Sequence, residues 1–416
     1  MFKHCCGAAL LTAAMAAIPP VSAQPVAPGA NVEELLALLI DGSPALAATV
    51  AERRAAAARA DAADSLPDPT FRFLADEVDR EGNAEFRYSL EQDFPLWGKR
   101  GLRKGAAAAE AAAARAREDG TASTLAAEAK IAFAQSYLAH GARRLVSAQR
   151  HEAASQAVLA ATRYARGLGS AADGLRAEAE RARLESELHR LDAETRALRA
   201  RLNGLLGRAA DAPLAEPARL VAMPPPERLA SLELRSRLLR DSPTLRAAAA
   251  EQVAAEQERR LAERDWYPDV SVMLGGIDRR DNGPPALMAG IGVRLPIQLG
   301  LRRASERAAT ERLAAAARLT NLARNAEAEL DEALAALAAA RAVEATVRDS
   351  LLPQAEAAYR LALLAFERGR AADIDAVLDT SRRLLEARLE ALKAEVEQRR
   401  QLARIERLVG GDLWVA

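Results

Sequence analysis

Few residues in this sequence are suited to chemistry, and most of those are carboxylates. Asp173, Asp373, Asp375 and Asp379 lie just past two short turns, Tyr164-Ala165-Arg166-Gly167 and Phe366-Glu367-Arg368-Gly369. Asp375 and Asp379 are four residues apart, so they share one helix face. Carboxylates repeated around an axis by several copies of a chain select cations and can gate a pore. The simpler reading is that Asp173 and Asp373 favour a helix N-terminus, with Ser170-x-x-Asp173 resembling a capping box. For Asp375 and Asp379 both readings stay open. Catalysis finds little support. After position 23 the histidines are His140, His151 and His189, and no two have metal-ligand spacing. There is no glycine-rich phosphate loop and no nucleophile elbow. The expectation is a protein that is not an enzyme and holds no cofactor and no bound metal.

Two further groups stand out. Tyr88, Trp97, Trp266 and Tyr267 sit near the ends of two-faced segments. They read either as aromatics at a membrane interface or as packing where strands meet helices. Lys99, Arg100, Arg103 and Lys104 form a basic cluster, echoed by Arg302 and Arg303. It reads as a solvated helix start, with lipid head groups as the alternative contact.

The elements that would position these residues follow from composition and pattern. The 416 residues carry 58 Lys+Arg and 58 Asp+Glu, a formal net charge of zero. That argues against a nucleic-acid partner, which selects a basic surplus. Aromatics make up 4% and hydrophobic residues 50%, the latter mostly alanine. An Ala/Leu/Arg/Glu-rich chain of this kind reads as long helices. Residues 1–23 read as an export signal: Lys3 and His4, then an apolar run from Gly7 to Ile18, then Val21-Ser22-Ala23 before Gln24. Cys5 and Cys6 precede the apolar run, so the processed chain would have no cysteine for a disulfide, a thiolate site or a lipid anchor.

The chain repeats itself with a period of about 200. Asp41-Gly42-Ser43-Pro44 returns as Arg240-Asp241-Ser242-Pro243, Leu66-Pro67-Asp68 as Tyr267-Pro268-Asp269, and Phe94-Pro95-Leu96 as Leu295-Pro296-Ile297. The two tip turns and Leu205-Leu206-Gly207 with Leu408-Val409-Gly410 continue the series. This gives a first repeat over 24–208, a proline-rich linker over 209–227 and a second repeat over 228–416. Each repeat reads as helix, hairpin, long helix, turn and helix. Ser43-Pro44 and Ser242-Pro243 are expected helix starts with serine as the cap. Strands are expected near 70–77, 84–95, 269–277 and 286–297, because apolar and polar residues alternate there. Phe86, Tyr88, Leu90 and Phe94, for example, are interleaved with Arg87, Ser89, Glu91 and Asp93. Glu81-Gly82-Asn83 and Asp281-Asn282-Gly283 supply the turns. Gly98 to Arg166 contains no proline, and Leu301 to Arg368 contains only Pro353. Such helices reach on the order of 100 Å. Leu184, Leu188, Leu191, Leu198, Leu202 and Leu205 show coiled-coil spacing, as do Leu385, Leu389, Leu392 and Val396.

Four two-faced strands have open edges that must be closed. They suit a membrane barrel shared among several copies, with the helices as a tube below it. The plainer alternative is a hairpin packed on helices, in a soluble periplasmic coiled-coil scaffold.

Leu66-Pro67-Asp68-Pro69, the run from Gln92 to Arg100, Trp266-Tyr267-Pro268-Asp269 and the run from Leu351 to Glu356, in this order inside a duplicated frame, resemble the TolC family of outer-membrane efflux channels. The resemblance covers nearly the whole chain after position 23. It implies a mainly α protein with a small β part: a homotrimer with a twelve-stranded transmembrane barrel over a periplasmic α-helical barrel. It implies a place in the outer membrane, with a large periplasmic part. It also implies a periplasmic adaptor (membrane fusion) protein and an inner-membrane resistance–nodulation–division pump as partners, with outer-membrane lipid around the barrel. Tyr164, Arg166, Gly167, Phe366, Arg368 and Gly369 match the family's periplasmic tip, where they would contact the adaptor near 164–173 and 366–375. Asp173, Asp373, Asp375 and Asp379 would then be gate candidates, each a ring of three. The Phe-Pro-Leu-Trp-Gly-Lys-Arg stretch is most similar to the CzcC-like subgroup of heavy-metal pumps, which makes metal cations the first expectation for cargo. Organic toxins and type I protein secretion are the alternatives.

Overall fold

A computed structural model describes residues 27–76, 85–279, 284–297, 299–368 and 374–413. The expected export signal, the hairpin turns 81–83 and 281–283, Gly369 and Asp373 lie outside the described residues.

The first half runs α1 (Val32–Gly42), α2 (Pro44–Ala62), β1 (Thr70–Asp76), β2 (Glu85–Phe94), α3 (Lys99–Ala165) and α4 (Ala171–Leu205). A single 3-10 turn over Pro226–Leu229 opens the second half. It continues through α5 (Ser231–Asp241), α6 (Pro243–Arg264), β3 (Asp269–Arg279), β4 (Ala286–Arg294), α7 (Leu299–Thr346), α8 (Leu352–Glu367) and α9 (Ile374–Val409). Among the described residues, no single helix is long and apolar enough to cross a membrane.

The serine–proline pairs do not start the first helix of each half. Each sits between two helices, α1 with α2 and α5 with α6, and neither serine caps with its side chain. Ser43 and Ser242 are buried instead. Proline has no N–H to give the preceding turn, so the chain bends there; α1 and α2 meet at 49°. α1 and α5 escaped the sequence reading because each is only 11 residues long.

These short helices build the two larger cores. Leu35 and Leu39 of α1 bury with Ala132 and Phe133 of α3 and Leu202 of α4. Leu234 and Leu238 of α5 bury with Leu330 and Leu337 of α7 and Ile405 and Val409 of α9. Each return helix then ends on a left-handed glycine, Gly207 at φ 67° and Gly410 at φ 75°. A Cβ on Gly207 would come within 2.3 Å of the Gly42 carbonyl oxygen, and one on Gly410 within 2.8 Å of Pro243. Both halves thus lock the end of the return helix against the same bend.

α3 is unbroken over 67 residues, about 100 Å of helix. Its counterpart is broken once. Val347–Leu351 forms one π turn just before Pro353. A proline inside a helix removes one hydrogen bond and crowds the carbonyl four residues back, and a wider turn relieves both. Leu184 and Leu191 of the leucine stripe bury against Ala142, Val146 and Ala153 of α3.

The four strands form one antiparallel sheet in the order β1-β2-β3-β4. β2 and β3 join the two halves, pairing from Glu85 with Arg279 to Phe94 with Val270.

Substituting Gly410→Ala puts a side chain at positive φ and against Pro243. We expect a loss of about 1–3 kcal/mol, read as a lower midpoint in thermal unfolding followed by circular dichroism.

Candidate functional site

Three surfaces carry the functional geometry: the sheet, the junction below it and the far tip of the helices.

Strand alternation sorts the sheet into two unlike faces. One face carries Phe71, Phe73, Tyr88, Leu90, Val272, Leu274, Leu287, Ile291 and Val293, all exposed, with Leu287 at 96%. The pairing places them side by side: Phe71 opposite Leu90, Leu90 opposite Leu274, and Val272 opposite Ile291. The other face is tied by charge. Glu85 accepts from Arg279 at 2.9 Å and from Arg87 at 2.6 Å. Arg294 pairs with Asp93 at 3.1 Å, and Arg72 with Glu91 at 3.4 Å. β1 and β4 each leave one edge unpaired within the chain. Tyr88 does not lie at the junction as the sequence reading had it. It sits mid-strand, six residues before the end of β2 at Phe94, across from Gly276 on β3.

At the junction, Leu96 to Arg100 turns from strand to helix. Trp97 has φ 61° and Gly98 φ 76°, and the Lys99 N–H closes the turn on the Leu96 carbonyl at 3.2 Å. A left-handed tryptophan is strained by roughly 1–2 kcal/mol, so neighbours must hold it. Its indole N–H donates to the Pro268 carbonyl at 2.8 Å. Its ring lies 5.3 Å from that of Tyr267. Lys99 then locks the two halves together. Its ammonium donates to both Asp269 oxygens at 2.9 and 3.0 Å and to the Tyr267 carbonyl at 2.9 Å. Asp265 stands 3.8 Å away, and the Leu96 N–H also donates to Asp269 at 3.1 Å. The Lys99 side chain is only 3% exposed.

Lys99 therefore does not belong to a solvated basic cluster. Two others of the cluster are also engaged: Arg100 donates to the Asp64 carbonyl at 2.8 Å, and Lys104 pairs with the Asp64 carboxylate at 2.8 Å, while Arg103 is exposed. The Lys104 hydrogen bond holds the Asp64 carboxyl below its usual range. Trp97, Trp266 and Tyr267 stay about half exposed at this level. Arg302 faces Glu306 at 3.9 Å.

At the tip, Gly167 is left-handed at φ 72°. Tyr164, Arg166 and Arg368 are exposed there. Phe366 is not, at 1% exposure. It packs with Ala160, Ile374, Val377 and Leu378, under the Arg163 guanidinium 4.4 Å from its ring centre. Arg163 also donates to the Phe366 and Leu168 carbonyls. Phe366 thus holds the two tips together from inside and cannot touch a partner directly.

The described acidic candidates, Asp173, Asp375 and Asp379, are paired with arginines or backbone. Asp173 accepts from the Ser170 N–H at 3.0 Å, and Ser170 accepts from the Ala172 N–H at 3.1 Å, completing a capping box. Arg176 bridges Asp173 at 3.6 Å and Asp375 at 3.3 Å, linking α4 to α9. Asp379 pairs with Arg383 at 2.9 Å.

Three buried polar links escaped the sequence reading. Glu180, 4% exposed on α4, accepts from Arg183 at 2.7 Å and from Arg382 of α9 at 2.6 Å. Burial alone would raise its carboxyl; the two arginines outweigh it and hold the group below its usual range. Tyr359 of α8 donates to Glu152 and accepts from Gln156 of α3 at 3.2 Å. Burial, then Glu152, push its phenol up. Glu406 binds Lys130 at 2.7 Å and the Leu413 N–H at 2.8 Å; burial raises its carboxyl against the pull of Lys130. In sequence these residues are indistinguishable from the charged helix faces around them. His140, pushed down by burial, lies 3.5 Å from Glu216, with Arg143 and Arg144 also near it. Among the described residues, no cluster of three or more His, Cys, Asp or Glu could hold a metal.

Two outcomes follow. Lys99→Met strands Asp269, which keeps some water, so we expect a loss on the order of 2–3 kcal/mol in thermal unfolding; Lys99→Met in an Asp269→Asn background should cost clearly less. A carboxyl held low stabilises the fold above its unfolded value, 4.5 for glutamate, and that support is lost as pH falls through the folded value. The midpoint difference between the parent and Glu180→Gln should therefore shrink as pH drops below 4.5.

The chain matches the model of the outer membrane efflux protein family over residues 35–208 and again over 234–411. It is 30% identical over 187 residues to the cobalt-zinc-cadmium resistance protein CzcC of Cupriavidus metallidurans, which is 43% of this chain and 42% of that protein. The chain thus spans less than half of that relative. The crystal structure of the outer membrane protein VceC from Vibrio cholerae superimposes with a TM-score of 0.79 at 22% identity, covering 92% of this chain and 96% of that one. The outer-membrane channel OprN gives a TM-score of 0.78 at 23% identity, covering 92% and 91%. Those two likenesses show a shared fold. With the family matched once in each half, around a sheet that presents an apolar face and helices about 100 Å long, this chain belongs to the outer membrane efflux protein family and is an outer-membrane protein with a large periplasmic part.

Proposed function

We propose that three copies of this chain close a twelve-stranded transmembrane barrel over a tube of helices, forming a passive exit duct. The observation that carries this reading is the sheet: one continuous apolar face, one charged face and two unpaired edges. Moving each apolar side chain out of water is worth about 1.5–3 kcal/mol. Every backbone N–H and C=O on a bilayer-facing edge needs a partner. The described residues of one copy form four strands, fewer than the eight or so of the smallest membrane barrels, so the missing strands come from further copies. The charged face then lines the bore.

In this reading the tips meet a periplasmic adaptor, and an inner-membrane resistance–nodulation–division pump supplies the driving force. Tyr164, Arg166, Gly167, Arg368 and Gly369 are the adaptor-contact residues, with Phe366 supporting them from beneath. Asp375 and Asp379 are the gate residues, and Asp173 with Asp373 serves mainly as helix-start anchors. Trp97, Trp266 and Tyr267 mark the lower membrane interface. Metal cations are the proposed cargo, supported by the similarity to a protein named for cobalt, zinc and cadmium resistance.

The processed chain should fractionate with the outer membrane and run as a trimer that heating converts to monomer. Recovery as a detergent-independent monomer in osmotic-shock fluid would overturn the duct in favour of a soluble scaffold. For cargo, the chain should restore cobalt, zinc or cadmium tolerance to cells that lack only this component. Restored export of organic toxins or of a secreted protein, without metal tolerance, would reassign it.

A further inference from the structure

The hydrogen bonding of the sheet carries the duplication of the chain. β1 pairs Thr70 with Glu91, and β3–β4 pairs Ser271 with Gly292. Both residues have moved by 201 positions, as have Pro67 to Pro268 and Pro95 to Pro296. One operation therefore carries β1 onto β3 and β2 onto β4. Applied to the pairing of β2 with β3, the same operation sets β4 beside β1. Within one chain these strands are the two outer edges of the sheet, so the β1 in question belongs to another copy.

The register follows. In β2–β3, Phe94 faces Val270 and Glu85 faces Arg279, so paired positions sum to 364. Moving one strand up by 201 and the other down by 201 leaves that sum unchanged. We infer that β4 of one copy pairs with β1 of the next with Arg294 opposite Thr70, Ile291 opposite Phe73 and Met288 opposite Asp76. This inference rests on the multi-copy barrel proposed above. Its faces agree: Ile291 and Phe73 both belong to the apolar face, and Arg294 and Thr70 to the charged one. A slip of one residue would drive Arg294 onto Phe71 and break that agreement.

The same operation shows that the two kinds of seam differ below the barrel. Asp269 maps to Asp68 and Lys99 maps to Gly300. Asp68 is exposed and has no hydrogen bond or ion pair among the described residues. A Cβ added at Gly300 meets open space. Seams inside a chain are locked by a buried lysine, and seams between copies lack it. The assembly therefore alternates locked and unlocked junctions.

Paired cysteines test the register, because the sequence has no cysteine after Cys6. Opposed residues in an antiparallel pair have Cα atoms about 5.5 Å apart at most, within disulfide reach, whereas partners displaced by two lie at about 7–8 Å. Oxidation should link copies carrying Thr70→Cys with Arg294→Cys, or Asp76→Cys with Met288→Cys. It should not link Arg72→Cys with Arg294→Cys, or Leu74→Cys with Met288→Cys. A stable trimer that links only the displaced pairs, or none, overturns the register and leaves the barrel standing. A monomer with no links overturns both. For the missing lock, Gly300→Lys should shift the temperature of trimer dissociation upward, and Asp68→Asn should cancel the shift. No shift, or one that survives Asp68→Asn, overturns the unlocked seam.

Discussion

Unpaired backbone at the two edges of a four-stranded sheet is the constraint on which the rest of the structure depends. A strand edge in water can hydrogen-bond to solvent; an edge in hydrocarbon cannot. In the barrel proposed above, the exposed apolar face of this sheet puts its edges in that second situation. Chain architecture follows from this need. The hairpins come from opposite halves of the sequence, and β2 and β3 meet at the middle of the sheet.

That middle seam must also pass from sheet to helix without losing its alignment. The Lys99 lock does so by satisfying three groups at once: the Asp269 carboxylate, the Tyr267 carbonyl and, through Asp269, the Leu96 N–H. A buried lysine is tolerable only because each acceptor compensates for lost water. Further down, the helices use a different rule. α3 and α4 meet through alanine and leucine. The first half meets the second near the tip largely through polar side chains: Glu180 with Arg382, Gln156 with Tyr359, and Asp375 with Arg176. These polar links flank apolar contacts that also cross between the halves, Leu385 against the α3–α4 cluster and Phe366 beside Ala160.

Much of this was legible in the sequence because it rests on short-range periodicity. Alternation in Phe86, Tyr88 and Leu90 against Arg87, Ser89 and Glu91 gave the strand and its two faces. The absence of proline between Gly98 and Arg166 gave the length of α3. What failed were inferences about the surroundings of single side chains. Lys99 looked like Arg103 and Lys104, yet its burial is set by residues about 170 positions away. Phe366 matched an exposed tip position, but Arg163 covers it. Ser43 and Ser242 had the right neighbour for a cap and the wrong backbone context, since a further helix precedes each. The acidic tip residues could be counted but not all assigned: Arg176 with Asp173 and Arg383 with Asp379 are local helix pairs, whereas the link from Arg176 to Asp375 on α9 exists only in three dimensions.

The π turn at Val347–Leu351 bears on how the two halves diverged. Counterpart residues are 201 positions apart at Pro95 and Pro296, but 202 apart at Tyr164 and Phe366. Between those points the second half is therefore one residue longer than the first. Absorbed as ordinary α-helix, the extra residue would turn everything beyond it by about 100°, and Phe366 would swing away from its pocket. A wider turn takes up the extra residue locally. The π turn is one place where such a residue can be held without re-aiming the far end of the helix.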